Sequence, residues 1–198
     1  MLKHLAFMVL LTSAMASFVI YWESHESRKF ILAATSLGVE TIAHTDFVKG
    51  CLRETGLEGQ AKVRIFLGTY KDILGSVGQL ESLPPDYYIF LDMYFYYTLD
   101  QGEKEALIAH EIGHAIYVPD SQEQFQLKLE HKLRRQGLFK EWYDQISTKY
   151  QMKADEFSTR RTSIKSMTNL LDKLYREGER SLDYQLRVKN LKQLKQGP

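Results

Sequence analysis

The spacing of apolar side chains predicts two strands and a helical segment in the first half of this chain. Residues 62–67 alternate polar and apolar and then turn apolar, and residues 87–91 are aromatic and β-branched, so both segments are expected to be strands. Residues 30–55 have roughly helical apolar spacing that ends at Gly56. Residues 71–83 are expected to form a loop or a short irregular segment.

The second half of the chain has helical periodicity almost throughout. It predicts four helices, at residues 121–135, 138–160, 163–177 and 181–194. A short unit of helix and strands followed by a run of helices is typical of an α+β domain. We therefore expect a mostly helical domain with its helices packed on a small sheet.

An uncharged apolar run of 18 residues, Leu5 to Trp22, precedes this domain. It is just long enough to span a bilayer, with Trp22 as an aromatic anchor at the interface. The segment Ala14-Met15-Ala16 also fits the cleavage site of a signal peptide. Residues 1–22 are therefore predicted to be a signal anchor or a signal peptide. Either one would place residues 23–198 on the extracytoplasmic (periplasmic) side, anchored to the membrane or exported.

The strongest chemical signal is His110-Glu111-Ile112-Gly113-His114, an H-E-x-x-H sequence within the helical pattern of residues 103–117. Four residues are about one helical turn, so both imidazoles project from one face and can share a metal ion. Glu111 can reach a water at that metal, which is the arrangement that a zinc hydrolase needs. Asp100 is predicted to cap this helix together with Glu103, three residues later.

Composition limits the class of partner and the kind of metal site. The hydrophobic fraction of 44% and the charged fraction of 26% are those of a globular protein. The net charge of +1 offers no electrostatic case for a nucleic-acid partner. Cys51 is the only cysteine, which excludes an intrachain disulfide and a cysteine-rich zinc site. Its apolar neighbours predict a buried structural thiol.

A catalytic zinc ion normally has a third protein ligand. Asp120 lies six residues after His114, a spacing that compact zinc sites use, but those sites have glycine where this chain has Tyr117. A better candidate segment runs from Gln151 to Phe157 and contains Ala154-Asp155. The position of the third ligand is not fixed by spacing alone.

At these residues the chain resembles the M48 family of membrane-associated zinc metallopeptidases, the HtpX-like and CAAX prenyl protease-like group. Members of the family carry H-E-x-x-H on one helix and E-x-x-A-D on a later one. The resemblance extends to Glu105–Ala109 and to Arg187–Leu191, which is similar to an R-I-x-x-L segment. It implies a zincin-like fold for residues 23–198, a Zn²⁺ cofactor, a third ligand at position 151 and a supporting role for Asp155.

The chain departs from the family pattern at position 151, where Gln151 replaces glutamate. An amide oxygen is a neutral and weaker zinc donor than a carboxylate. Gln151 is therefore expected to bind weakly, or Asp155, one helical turn away on the same face, binds directly, or the site has lost zinc. Glu156 is rotated by about 100° from Asp155 and is less well placed.

The predicted activity is zinc-dependent endopeptidase, with His110, His114 and Gln151 at the metal and Glu111 as the general base. The expected partners are a peptide or protein substrate and the membrane. The strand at 87–91 is expected to pair with an extended peptide. Candidates for stabilising the oxyanion are Tyr94, Tyr96, Tyr97 and Arg187. The alternative is a catalytically weak or inactive relative that binds a peptide or a membrane partner in the same cleft.

Overall fold

The computed structural model describes residues 29, 31–70, 75–80, 86–117, 140–177 and 183–194. The predictions for the run at 1–22, for Asp120 and for the helix at 121–135 lie outside these residues. Within the described ranges, no helix is long and apolar enough to cross a bilayer.

The chain forms seven helices and four strands in the part that is described. In chain order they are α1 (31–36), β1 (Gly38–Thr41), α2 (Thr45–Glu54), β2 (Lys62–Gly68), β3 (Gly75–Leu80), β4 (Asp86–Asp92), α3 (Met93–Thr98), α4 (Gln101–Ile116), α5 (Lys140–Arg161), α6 (Ile164–Arg176) and α7 (Asp183–Leu194). The prediction of a mostly helical α+β domain with a small sheet is confirmed.

The sheet has the strand order β1-β2-β4-β3. Strands β2 and β4 pair in parallel, and each of the outer strands pairs antiparallel with its neighbour. The strands predicted at 62–67 and 87–91 are confirmed, whereas the loop predicted at 71–83 contains β3. The continuous helical spacing predicted for 30–55 is interrupted by β1. Both missed strands are short and are held by ladder hydrogen bonds to a neighbour, which the local apolar pattern does not encode.

Each face of the sheet has its own layer of buried side chains. Ile65, Ile89 and Leu91 face the main core, which α2, α4 and α6 complete. On the opposite face, the rings of Phe66, Tyr88 and Phe90 pack in a smaller cluster beneath α1. Because both faces are covered, β4 is apolar along almost its whole length, as is typical of a strand in the interior of a sheet. Cys51 lies fully buried in the main core, which confirms the predicted structural thiol.

Helix α4 begins with the predicted capping box. The Asp100 carboxylate accepts a hydrogen bond from the Glu103 backbone N–H, and the Glu103 carboxylate accepts one from the Asp100 N–H. Glu103 is buried, and Lys173 of α6 supplies its counter-charge at 2.6 Å. The Lys173 ammonium also donates to the Thr98 carbonyl oxygen, so the start of α4 is tied to both α3 and α6.

Helices α4 and α5 come unusually close at Gly113. A Cβ atom added to Gly113 would lie 2.9 Å from the Ala154 Cα and 3.2 Å from its Cβ. Nearer the start of α4, the Ser158 hydroxyl donates a hydrogen bond of 2.8 Å to the Ala106 carbonyl oxygen. Small residues on both helices therefore bring the α4 backbone against α5, and Asp155 of α5 is carried next to the H-E-x-x-H sequence.

We expect Gly113→Ala to lower the free energy of unfolding by up to about 2 kcal/mol. The added methyl group meets backbone atoms that cannot turn away, and overpacking of this kind costs about 1 to 3 kcal/mol, of which better helix propensity returns about 1 kcal/mol. Urea unfolding of both proteins measures the difference.

Gly102→Ala is the matched control in the same helix. Its added Cβ would lie 2.7 Å from the Ser166 hydroxyl, a side-chain group that can rotate. We expect a change below about 0.5 kcal/mol at this half-buried site in the first turn of the helix. Equal losses in the two variants would contradict the close α4–α5 contact.

Candidate metal centre

The two histidines of the H-E-x-x-H sequence face each other, as their spacing on one helical turn predicts. The Nε2 atoms of His110 and His114 are 3.0 Å apart, and their rings are perpendicular, with centroids 4.6 Å apart. Two nitrogens that bind one tetrahedral zinc ion at about 2.0 to 2.1 Å are about 3.3 to 3.4 Å apart. The separation of the two imidazoles is therefore close to that of a zinc-binding pair.

Asp155 lies on the other side of the His110 ring. Its Oδ1 atom is 2.8 Å from the Nδ1 atom of His110, although the ring N–H is not aimed straight at that oxygen. A carboxylate at this distance favours the tautomer with the proton on Nδ1, which leaves the lone pair of Nε2 toward His114. A carboxylate that holds the remote nitrogen of a metal-binding histidine is a common feature of zinc sites.

Arg187 of α7 holds both oxygens of Asp155. Its Nε atom donates to Oδ2 and its Nη2 atom to Oδ1, each at 2.7 Å. Burial alone would raise the pKa of Asp155, but the hydrogen bonds and charges of Arg187 and His110 outweigh burial and hold that pKa below its usual range. Both oxygens are thus engaged away from the His110–His114 gap, and the contacts of Asp155 favour a supporting role over direct metal binding.

Gln151 lies one turn before Asp155 on α5, with its side chain near enough to His114 to influence the pKa of that imidazole. It therefore stands beside the second histidine, where the resemblance to the metallopeptidases puts the third ligand. Glu111 is buried, next to His110 on α4. Glu156 turns elsewhere, since its Oε1 atom accepts a hydrogen bond from the Asn190 amide.

The donors near the two histidines suit a zinc ion of low affinity. Two neutral imidazoles and one amide oxygen make three uncharged ligands, and zinc sites normally combine three protein ligands with one open position. No three side chains among His, Cys, Asp and Glu come together as metal ligands within the described ranges. The fit therefore depends on Gln151, because Asp155 is occupied by Arg187 and Nδ1 of His110.

The residues predicted as candidates for stabilising the oxyanion differ in burial and in their hydrogen-bond partners. Tyr96 is buried and hydrogen-bonds to Nε2 of His44 at 2.6 Å, whereas Tyr94 and Tyr97 are 68% and 67% exposed. Arg187 is only 5% exposed and is bound to Asp155. Its guanidinium is engaged behind His110 and is not aimed at the gap between the two imidazoles.

The strand predicted to pair with a peptide is in the interior of the sheet. Each residue of β4 pairs with β2, and six of them also pair with β3, so β4 has no free edge. The prediction of strand addition at 87–91 is therefore wrong. The edge next to β4 is β3, which contacts helix α4 and pairs only with β4 among the described strands.

The contact of Arg187 with Asp155 is the main feature of the site that the sequence did not predict. One feature of the sequence does point to Arg187, because the segment Arg187–Leu191 resembles the R-I-x-x-L segment of the metallopeptidases. The residues of α7 nevertheless alternate charged and apolar side chains, which favours a solvated guanidinium. The contact with Asp155 spans 32 residues of sequence, so that nothing local to α7 marks Arg187 as buried.

No protein-family model matches the chain, and comparisons with curated proteins and with solved structures find no significant match either. The resemblance to the M48 metallopeptidases therefore stays a prediction that depends on the motif residues.

We expect the metal-free protein to lose stability as the pH falls from 6.5 toward 3. Burial is the largest cause that lowers the pKa of His114 from 6.5 to about 3, and the charges of His110 and Arg187 add to it. Below pH 6.5, His114 binds a proton in the unfolded chain but stays neutral in the folded protein, so the free energy of unfolding falls as the pH falls. This one group accounts for about 2 kcal/mol between pH 7.5 and pH 5.

Urea unfolding at several pH values measures this loss, and His114→Asn is the control. That variant should keep only the pH dependence of the remaining groups, among them His44, whose pKa is also lowered by burial. Parallel pH profiles for the wild type and the variant would show that His114 titrates normally in the folded protein.

Proposed function

We propose that this protein is a zinc-dependent endopeptidase. The observation that carries the proposal is the pair of imidazole nitrogens 3.0 Å apart on one face of a buried helix, with Glu111 beside them. The support of His110 by a buried carboxylate adds to it, because such a carboxylate fixes the tautomer that a metal-binding histidine requires. A zincin-like relationship of the whole domain is part of the same proposal.

Three side chains would hold the ion: His110, His114 and Gln151. Zinc in such a site acts as a Lewis acid toward a water molecule and toward the carbonyl of the scissile peptide bond. The protein keeps the His114 imidazole neutral for this task, since burial lowers its pKa far below physiological pH. The Asp155 carboxylate keeps the proton of His110 on Nδ1, so that Nε2 is free to bind.

Glu111 is the proposed general base. It follows His110 directly on α4 and is buried, which places a carboxylate in the interior next to the first proposed ligand. In the proposed reaction Glu111 takes a proton from the attacking water and returns it to the amine that leaves. The bond that breaks is the peptide C–N bond, and the two products are a carboxylate and an amine.

The substrate is proposed to be a peptide in extended conformation. Strand β3 lies at the edge of the sheet and contacts α4, the helix that carries the two histidines. A peptide that pairs with this edge would gain main-chain hydrogen bonds irrespective of its sequence. It would also run beside the helix that carries Glu111.

The proposed place of action is a membrane surface on the extracytoplasmic side. The uncharged run Leu5 to Trp22 supports this. Four large aliphatic side chains that follow it closely are 64–84% exposed, namely Leu32, Leu37, Val39 and Ile42. Such a concentration of exposed aliphatic residues is unusual for a surface that meets water alone.

The alternative function is that of a binding module with little or no catalysis. The observation that favours it is the neutral Gln151 at the third position, because an uncharged ligand set holds zinc less tightly than one with a carboxylate. In that case a peptide or membrane partner would bind the cleft without being cleaved. Zinc content and peptidase activity of the purified protein distinguish the two functions.

We expect His110→Ala and His114→Ala each to abolish tight zinc binding, whereas Glu111→Gln keeps zinc and abolishes proteolysis. The ligands hold the ion, while the glutamate only moves protons. Metal analysis and cleavage of an unstructured protein substrate measure the two properties. If Glu111→Gln loses as much zinc as the histidine variants, the proposed role of Glu111 is wrong.

We expect Gln151→Glu to strengthen zinc binding by a factor of about 10 to 100, since the carboxylate adds a charge to the ligand set. The two side chains are nearly isosteric, so the fold should be unaffected. Competition with a chelator of known affinity measures the change.

The control for this prediction is Glu156→Gln, the reverse exchange at a neighbouring position on α5 whose side chain contacts Asn190. It should leave zinc affinity unchanged. An unchanged affinity in Gln151→Glu would mean that residue 151 is not a ligand, and Asp120 would become the residue to test.

A further inference from the structure

The Arg187 guanidinium forms a buried ion pair with Asp155 that packing alone does not explain. Its side chain is 6% exposed, and that of Asp155 is completely buried. Burying an ion pair is costly, and replacing such a pair with apolar residues often leaves stability unchanged or increased. Stability alone therefore gives no reason for this pair, and its geometry relative to the metal site is the informative feature.

The three side chains form a chain of contacts across three helices. Arg187 of α7 donates two hydrogen bonds of 2.7 Å to Asp155 of α5. Asp155 in turn lies 2.8 Å from Nδ1 of His110 on α4. Oδ1 is shared, since it accepts from Arg187 and also faces His110. The position of this one oxygen relative to the imidazole is therefore set by the guanidinium.

The two-point contact fixes a side chain that would otherwise be free to turn. A carboxylate rotates readily about its last torsion angle, because that torsion is broad and roughly two-fold. The planar fork of an arginine removes this freedom, which a lysine cannot do with a single charged nitrogen. With both oxygens held in one plane, Oδ1 is kept toward Nδ1, and Asp155 cannot turn toward the gap between the two histidines.

We propose that Arg187 is a positioning residue that acts through Asp155 to set the tautomer and orientation of His110. Its importance for zinc depends on the proposed function, but its effect on the imidazole does not. Without Arg187 the Asp155 carboxylate would be free to leave Nδ1, and the proton of His110 would distribute between the two ring nitrogens. The Nε2 lone pair would then be available in only part of the molecules.

A purely structural role predicts a different outcome, and α7 offers a matched control. The Asn190 amide, about one turn after Arg187, donates to Glu156 at 3.1 Å and so joins the same two helices. Asn190→Ala removes a link between α7 and α5 without touching Asp155. If Arg187 only attaches α7 to the domain, its loss and the loss of Asn190 should have the same kind of effect on the site.

The test uses the full chain in detergent micelles, free of metal and labelled with ¹⁵N at histidine. The ring nitrogen shifts report the tautomer of each of the six histidines, and a His110→Gln variant identifies the signals of interest. We expect wild type and Asn190→Ala to show His110 protonated on Nδ1 alone. In Arg187→Gln and Arg187→Lys we expect a mixture of the two tautomers.

Zinc affinity is the second measurement, made by chelator competition on the same proteins. We expect Arg187→Gln to bind zinc about 10 to 100 times more weakly, the usual effect of removing a group that orients a metal ligand. Asn190→Ala should stay within about twofold of wild type. Arg187→Lys keeps the buried positive charge, so it can be measured if Arg187→Gln does not fold.

A wild-type tautomer at His110 in the folded Arg187 variants would overturn the proposal, as would equal effects of Arg187→Lys and Asn190→Ala. The failure of the proposed function has a different signature. If wild type binds no zinc but the Arg187 variants alter the His110 tautomer, the positioning role stands and the endopeptidase proposal falls.

Discussion

The close approach of α4 and α5 at Gly113 is the contact on which the candidate site depends. Ala154 lies against Gly113, and a side chain on either residue larger than the one present would separate the two helices. Asp155 is the next residue along α5, so its distance from His110 is set by this backbone contact. The glycine is therefore required by packing as well as being part of the H-E-x-x-H sequence.

The charged groups of the site are arranged in layers around the two imidazoles. Burial lowers the pKa of His114 and so favours its neutral form, while the negative charge behind His110 lies on Asp155. The compensating positive charge of Arg187 lies one layer further out. This arrangement leaves the gap between the histidines without a negatively charged ligand. With a neutral amide at position 151, the proposed ligands would leave most of the charge of a bound dication uncompensated. The same feature supports weak binding and strong polarisation.

The sequence predicts most of the helical frame because its signals there are local. The capping box of Asp100 and Glu103 and the spacing of His110 and His114 lie within single helical turns, and the structure confirms both. Strand β3 was missed because its stability comes from β4, which follows it. The contact of Arg187 was missed because its carboxylate partner lies on another helix, 32 residues earlier. Contacts between elements are not encoded in local periodicity.

The dependence of His110 on α7 has a consequence for the order in which the site forms. During synthesis the two histidines emerge with α4, and Gln151 and Asp155 follow with α5. The guanidinium of Arg187 arrives only with the last described helix. A nascent chain that has folded as far as α6 thus contains every proposed ligand but not the group that orients the first one. Competence for metal binding would accordingly be acquired late in folding, when α7 docks. If the proposed endopeptidase activity is present, this order of folding would limit cleavage of the unfinished chain.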